Sequence, residues 1–109
     1  MTELCDEKCV VYGVDAKALA HEEAVTLRRQ LRPEWIFDGD AKTLKRTFKF
    51  KDFYRTMGFV NAIAYIANVE DHHPDLQVGY DYCGVTFATH SIGGLSRNDF
   101  ICAAKCDRL

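Results

Sequence analysis

This sequence has few prolines, no long apolar run and almost no excess of charge of one sign. Its 109 residues include two prolines, and the formal net charge is −2 at pH 7. A nearly neutral balance argues against nucleic acid as a partner, because phosphate binding needs a basic face. No run of about 20 apolar residues is present, so we expect neither a membrane-spanning helix nor a membrane partner.

The N-terminus has no apolar core of the kind a signal peptide carries, so we expect a cytoplasmic protein. Five cysteines, an odd number, do not suggest a disulfide framework in such a chain. Cys5 with Cys9, and Cys102 with Cys106, form two C-x3-C pairs that could hold zinc. A small apolar role for Cys102, and a place in a tail for Cys5 and Cys9, explain them better. Any role of Cys5 and Cys9 stays open.

Apolar residues are plentiful, at 48% of the chain, and can form one core. Helical and alternating spacings predict the order helix, two strands, helix, two strands, helix. This order indicates an α+β fold with a four-stranded antiparallel sheet and helices packed on one face. We assign the single domain to residues 14–109 and a flexible N-terminal tail to residues 1–13.

The element boundaries follow from apolar periodicity and from turn residues. The predicted helices are 14–31, about 52–72 and 96–107, and the predicted strands are 35–37, 44–51, 76–82 and 85–90. Pro33 ends the first helix and Pro74 ends the second. A turn is expected at 38–40. Ser96 followed by Asp99 resembles a capping box that starts the last helix.

The second helix carries two apolar lines. One line, which we expect to face the sheet, runs Phe53, Met57, Val60, Ala64 and Ala67. Phe59, Ile63 and Ile66 form the other, and one sheet face needs only one. The extra line is either a subunit contact or a surface covered by the first helix.

Three of the four histidines fall in two short stretches, Asp71-His72-His73-Pro74 and Thr89-His90. If the third and fourth strands pair, His90 returns to the corner that carries His72 and His73. Imidazole gives and takes protons near neutral pH, so this cluster favours proton-transfer chemistry on a small molecule. Three histidines can also hold zinc, and a solvated helix end without chemistry is a third interpretation.

Matching segments extend the pattern along most of the chain. They are Trp35, Leu44-x-Arg46-x-Phe48-x-Phe50-Lys51-Asp52-Phe53, Gly58-Phe59, Asp71-His72-His73-Pro74, Val85-Thr86-x-x-Thr89-His90, Gly94-Leu95-Ser96 and Asp99. In order and spacing this chain resembles the pterin-4a-carbinolamine dehydratases, also called 4a-hydroxytetrahydrobiopterin dehydratases, over roughly residues 14–107. The segment 98–105 resembles the bacterial branch.

The resemblance implies a lyase that removes water from a 4a-hydroxytetrahydropterin and gives the quinonoid dihydropterin. It implies recycling of pterin for an aromatic amino acid hydroxylase, without a metal or an organic cofactor. The family's catalytic histidines map onto His72, His73 and His90. The positions that surround the substrate or support the histidines map onto Asp71, Pro74, Leu76, Ala88, Thr89 and Asp99. Asp71 is expected either to orient an imidazole or to cap a turn.

The chain departs from the animal pattern at three positions. Asn68 stands where an acidic residue is common, Leu76 where an aromatic is common, and Asn98 where an arginine is common. These changes leave the three histidines untouched.

The resemblance also implies a homodimer or homotetramer, and it offers alternatives to an enzyme. Animal members serve as dimerisation partners of a transcription factor, and a role near molybdopterin metabolism is suggested for some microbial ones.

Overall fold

The computed structural model describes residues 3–39 and 41–109 of the chain. Three helices and four strands make up the fold: α1 (His21–Arg28), β1 (Ile36–Asp38), β2 (Thr43–Lys49), α2 (Phe53–Glu70), β3 (Asp75–Val78), β4 (Tyr82–Phe87) and α3 (Arg97–Cys106). Short 3-10 turns lie at Leu4–Asp6 and His90–Ile92. The predicted order of elements and the α+β class are confirmed. Among the described residues, no helix is both long and apolar enough to cross a membrane.

The sheet is antiparallel throughout, with the strand order β1-β2-β4-β3. The predicted hairpins β1–β2 and β3–β4 both form. Between them, β2 pairs with β4, from Leu44 opposite Phe87 to Lys49 opposite Tyr82. The β3–β4 pairing, with Asp75 opposite Thr86, brings the end of β4 beside the corner that follows α2, where the candidate site lies.

The core lies between the helices and one face of the sheet. Alternation along β4 buries Cys83, Val85 and Phe87 while the residues between them are more exposed. Trp35 is fully buried, and its indole N–H donates to the Asp107 carboxylate at 2.9 Å. That contact ties the start of β1 to the end of α3.

The expectation that Phe59, Ile63 and Ile66 lie outside the core of a monomer is wrong. Ile63 is 1% exposed and Phe59 9% exposed, so this line is core. Of the line expected to face the sheet, Ala67 is also buried, whereas Phe53 is 49% exposed. Phe59 packs against Phe48 and Phe50, with ring centroids 4.4 and 5.0 Å apart. The spacing showed two lines, but only the sheet decided which one to bury. The line that includes Ile63 therefore cannot be a subunit contact.

The first helix is much shorter than its apolar stripe suggested. It spans His21–Arg28, and Val14 is fully exposed ahead of it. Its first turn is acidic, with Glu23 accepting the Ala20 N–H at 3.1 Å, which fixes a helix start at that point. Helical spacing at 14–20 is overridden because Leu19 bonds elsewhere, with its N–H on the carbonyl of Leu95 at 2.8 Å.

The segment expected to be a flexible tail packs against α3 where the structure describes it. Leu4 is buried, and the Lys105 ammonium donates to the carbonyl of Cys5 at 2.8 Å. Met1 and Thr2 lie outside the described residues, as does Asp40 of the predicted turn at 38–40. Flexibility of residues 1–13 stays a prediction.

The third and fourth strands divide differently from the prediction. Tyr82 belongs to β4 and not to β3, because the turn comes at residues 79–81, closed by the Gly79 N–H donating to the carbonyl of Tyr82 at 2.9 Å. β4 ends at Phe87, short of His90. Thr89 instead forms a single bridge with Gly94, and the chain turns through His90–Ile92 to approach α3.

Candidate functional site

The end of α2 holds the first histidine in place. Asp52 starts the helix, with its carboxylate accepting the N–H of Arg55, and Asp71 ends it in the left-handed region at φ 51°. The N–H groups of Asp71 and His72 both turn back to the carbonyl of Ala67. This reversal sends the His72 side chain inward, and Asp71 serves as the cap of the turn.

Asp99 is the centre of the site. Its side chain is fully buried at the first turn of α3, and one oxygen, Oδ1, lies 2.6 Å from Nε2 of His72. The other oxygen, Oδ2, accepts the Thr89 hydroxyl at 2.8 Å and the Ser96 N–H at 2.9 Å. The Ser96 bond is the predicted capping contact. One carboxylate therefore joins the ends of α2, β4 and α3.

The same network fixes the approach to the third histidine. Thr89 is buried, and its hydroxyl oxygen also lies 2.6 Å from the hydroxyl oxygen of Ser96. Its N–H donates to the carbonyl of Gly94 at 2.9 Å. His90 follows Thr89 directly, as His73 follows His72, so the backbones of both residues lie one step from the network.

The network also selects the form of the His72 ring. A carboxylate only accepts hydrogen bonds, so Nε2 of His72 carries the hydrogen, and in the neutral ring Nδ1 is the free acceptor. The ring lies nearly parallel to that of Phe87, with centroids 6.1 Å apart and planes 9° apart. His72 is thus held by a carboxylate on one side and by the core on another.

The three histidines differ in their access to solvent. The His72 side chain is 10% exposed, whereas His73 and His90 are exposed. His73 and His90 are open to solvent, while His72 is fixed by Asp99. Exposed imidazoles can serve as proton donors and proton acceptors.

The remaining residues assigned from the resemblance fall into two groups. Thr89 and Asp99 belong to the network with His72. Pro74 and Ala88 are half-buried neighbours of the histidine stretches, and Leu76 lies on the edge strand β3, where it is 37% exposed.

The potential metal ligands do not gather at the histidines. Within residues 3–39 and 41–109, the ligand atoms that converge within 4.8 Å belong to Glu3, Cys5 and Asp6, at the surface. The four cysteines of the two C-x3-C pairs do not come together either. Cys9 meets Cys102 with sulfurs 3.5 Å apart, while the Cys5 sulfur accepts from Arg108. Neither a three-histidine nor a four-cysteine metal site is preformed.

Three cavities in the described part of the chain lie away from His72, His73 and His90. One, of about 610 Å³, separates the N-terminal segment from the end of α3, near Leu31 and Asp107. Another, of about 310 Å³, lies on the sheet across β2, β4 and β3, and Leu76 is part of its wall. The third, of about 370 Å³, lies beside α1. We locate the candidate chemistry at the histidine corner, because the Asp99 carboxylate there binds the residues that precede the exposed His73 and His90.

Sequence reasoning missed two residues that support the site from behind. Glu70, the last residue of α2, has a 4% exposed side chain that accepts the Cys9 N–H at 2.8 Å. Asn98 pairs with the backbone of Val10, accepting its N–H at 3.0 Å and donating to its carbonyl at 2.8 Å. The sequence signal for Glu70 was an acidic residue next to Asp71 at the end of the predicted second helix. Asn98 was noted only as a departure from the animal pattern of the family.

Comparison with known proteins gives one family. The sequence model described as Pterin 4 alpha carbinolamine dehydratase matches residues 17–109. A protein of Legionella pneumophila (strain Corby) is 58% identical over 97 residues, which are 89% of this chain and 85% of that protein. One of Nitrosomonas europaea is 53% identical and spans 100% of this chain and 97% of its own. Both are named, provisionally, pterin-4-alpha-carbinolamine dehydratase.

Solved structures agree with the fold. A protein of Brucella melitensis, described as a transcriptional coactivator/pterin dehydratase, superimposes with a TM-score of 0.79 at 34% identity. The match covers 84% of this chain and 97% of that one. A pterin dehydratase-like protein described as a RuBisCO assembly factor in the alpha-carboxysome gives a TM-score of 0.60 at 22% identity, over 69% and 87% of the two chains. That second likeness concerns the fold alone.

Proposed function

Because this chain belongs to the pterin 4-alpha-carbinolamine dehydratase family, we propose that it removes water from a 4a-hydroxytetrahydropterin by histidine acid–base catalysis. The observation that carries the proposal is the carboxylate of Asp99, which binds both His72 and Thr89, the residues that directly precede the exposed His73 and His90. The product is the quinonoid dihydropterin, and the reaction recycles pterin in the cytoplasm for an aromatic amino acid hydroxylase.

The chemistry needs two proton transfers. The 4a-hydroxyl leaves as water after it receives a proton, and N5 loses a proton as the double bond forms. His73 and His90 are the groups we assign to these transfers, because both are exposed while His72 is engaged with Asp99. We assign to His72 the role of holding His73 and His90 in position. Which exposed histidine gives and which takes the proton is decided by the substrate pose.

The test is a stopped-flow absorbance assay on freshly generated 4a-hydroxytetrahydropterin. We expect wild-type protein to accelerate the dehydration, and His73→Ala or His90→Ala to lower turnover by about 10² or more. His72→Ala should also impair it. The matched control is His21→Ala, since His21 is an exposed histidine on α1, outside the site. Near-native rates in all three site variants, with normal folding, would show the catalytic assignment to be wrong.

We also propose that the reaction uses neither a metal nor an organic cofactor. The support is chemical: two imidazoles can supply both proton transfers. Full activity is therefore expected after exhaustive chelation. Activity lost on chelation and restored by zinc would replace this mechanism with a histidine-bound metal.

We propose assembly into at least a dimer through the edge strand β3, and not through the line of Phe59, Ile63 and Ile66 on α2. All four residues of β3 are exposed, and β3 is an edge strand with unpaired backbone groups. A second copy of the same edge can pair with it across a two-fold axis. The site would then lie within each subunit, because the Asp99 network is complete in one chain.

A further inference from the structure

The N-terminal residues 7–10, which we call the strap, cross the back of the histidine site. The strap bonds to both walls of that site. On one side the Cys9 N–H donates to Glu70 at 2.8 Å, two residues before His72. On the other side Val10 forms the two-bond pair with Asn98, the residue before Asp99.

Further contacts hold the strap to α3. Glu7 accepts two bonds from the Arg97 guanidinium, at 2.7 and 2.6 Å. The side chain of Glu70 is buried beneath the strap, and the Lys105 ammonium lies 4.0 Å from the Glu70 carboxylate. Burial alone would raise the pKa of Glu70, but the Cys9 N–H and the neighbouring ammonium groups outweigh it and hold that pKa below its ordinary value. Glu70 is therefore an ionised anchor.

We propose that the strap sets the distance between His72 and Asp99, and that Glu70 and Asn98 are positioning residues for the proposed dehydration. This inference rests on the proposed function for its kinetic consequences. The 2.6 Å contact between His72 and Asp99 joins two helix ends that are otherwise separate in sequence. The strap bonds next to each end, so losing either bond lets the two ends move apart. Displacements of about 1 Å are costly in catalysis.

The test compares Asn98→Ala, Glu70→Ala and Glu70→Gln. Glutamine keeps an oxygen that can accept the Cys9 N–H, so it should restore most of what alanine loses. For both alanine variants we expect kcat to fall about tenfold with KM changed less than about twofold. Asp107→Asn is the matched control, because it alters a buried carboxylate about 12 Å from Asp99 along the axis of α3.

A second readout does not depend on activity. The imidazole resonances of His72 in a 15N NMR spectrum report its bond to Asp99. They should shift in the two alanine variants, and stay in place in Asp107→Asn. A wild-type protein without dehydratase activity would contradict the proposed function, and the resonances would still decide the role of the strap. Unchanged resonances and an unchanged kcat in Asn98→Ala and Glu70→Ala would overturn it.

A different observation carries a second inference. The sulfurs of Cys9 and Cys102 lie 3.5 Å apart, and these residues are 93 positions apart in sequence. Cys102 is fully buried, whereas Cys9 is half-buried at the edge of the strap. The hydrogen bond with Cys9, together with burial, raises the pKa of the Cys102 thiol. Burial, with the Asp107 carboxylate nearby, raises that of Cys106 to about 12.

We propose that Cys9 and Cys102 form a site of disulfide modification by low-molecular-weight disulfides. The Cys9 thiolate attacks such a disulfide, forms a mixed disulfide and releases one small thiolate. The Cys102 thiol gives its proton to the small thiolate released first, and its sulfur attacks the Cys9 sulfur and releases the second small thiolate. Two electrons pass from the protein thiols to the reagent. The product is a disulfide between Cys9 and Cys102 that links the strap to α3.

The test uses oxidised glutathione as the reagent, followed by alkylation and trypsin digestion. Cleavage at lysine and arginine gives peptides 9–17 and 98–105, each with one cysteine, so their linkage identifies the bond. We expect this linked pair in wild type and in Cys106→Ser, and its loss in Cys102→Ser. The Tm of the wild type should rise by about 5 °C or more on oxidation. Glutathione left on Cys9 without the linked pair would overturn the inference.

Discussion

Asp99→Asn is the substitution whose outcome the structure defines most closely. The carboxylate accepts three bonds, from His72 at 2.6 Å, Thr89 at 2.8 Å and Ser96 at 2.9 Å. An asparagine oxygen in place of Oδ2 keeps the last two bonds. Its amide group then faces Nε2 of His72, and two donors cannot share a bond. The pair can keep a bond only if the ring moves its hydrogen to Nδ1, so that Nε2 accepts from the amide and Nδ1 is no longer an acceptor.

The size of the effect on stability follows from replacing a charged acceptor by a neutral amide. Hydrogen bonds to charged groups contribute about 1.5–3 kcal/mol and neutral ones about 0.5–1.5 kcal/mol, so the free energy of unfolding should fall by about 1 kcal/mol and the chain should remain folded. The rate should suffer more, because the other tautomer changes the His72 ring on which the proposed mechanism depends. We expect turnover to fall about 10²-fold. Asp99→Ala is less informative, since it leaves three donors unpaired and removes much of the total stability.

Asp71→Asn is the matched control for this change. Asp71 is exposed and left-handed, a conformation that asparagine tolerates, so its unfolding free energy should change by less than about 0.5 kcal/mol. Urea unfolding gives the stability of both variants, and the stopped-flow assay gives their rates. The reasoning fails if Asp99→Asn turns over within about twofold of wild type, or if Asp71→Asn loses as much activity as Asp99→Asn.

Three further outcomes follow from burial, charge and the sheet edge. Ile63→Glu should lower the free energy of unfolding by about 3 kcal/mol or more, because it buries an unpaired carboxylate. Tyr65→Glu is the control, since Tyr65 is 70% exposed, and in urea unfolding it should change that free energy by less than about 0.5 kcal/mol. Glu7 and Glu70 both have a pKa below their ordinary 4.5, so their contribution to stability is present above that pH and is lost as the pH falls below it. The protection factors of the strap amides, which correct for the intrinsic pH dependence of exchange, should then fall, and pH-independent protection factors would contradict this. Val78→Pro on β3 should weaken the proposed dimer, and light scattering that already gives a 12.4 kDa monomer for wild type at micromolar concentration would refute assembly.

The long second helix and the last helix were predictable because their signals are local. Asp52 and Ser96 cap the two helix starts, and Pro74 follows the end of α2, so no distant contact was needed. The same holds for the two hairpins. The first helix failed the same reasoning, because Leu19 bonds to the carbonyl of Leu95, a residue far along the chain. Apolar periodicity is a local property of the sequence, so it cannot show that a distant carbonyl competes for the Leu19 N–H.

The sequence by itself determined the order of elements, the α+β class and the three histidines that the family resemblance singles out. Only the tertiary structure decided which apolar line of α2 is core, since both lines have helical spacing and the sheet accepts one. It also decided that Asp99, and not the adjacent Asp71, holds His72, because a left-handed cap turns Asp71 outward while α3 brings Asp99 to the ring. Neighbours in sequence are fixed by the covalent chain, whereas a hydrogen-bond partner 27 residues away depends on how the helices pack.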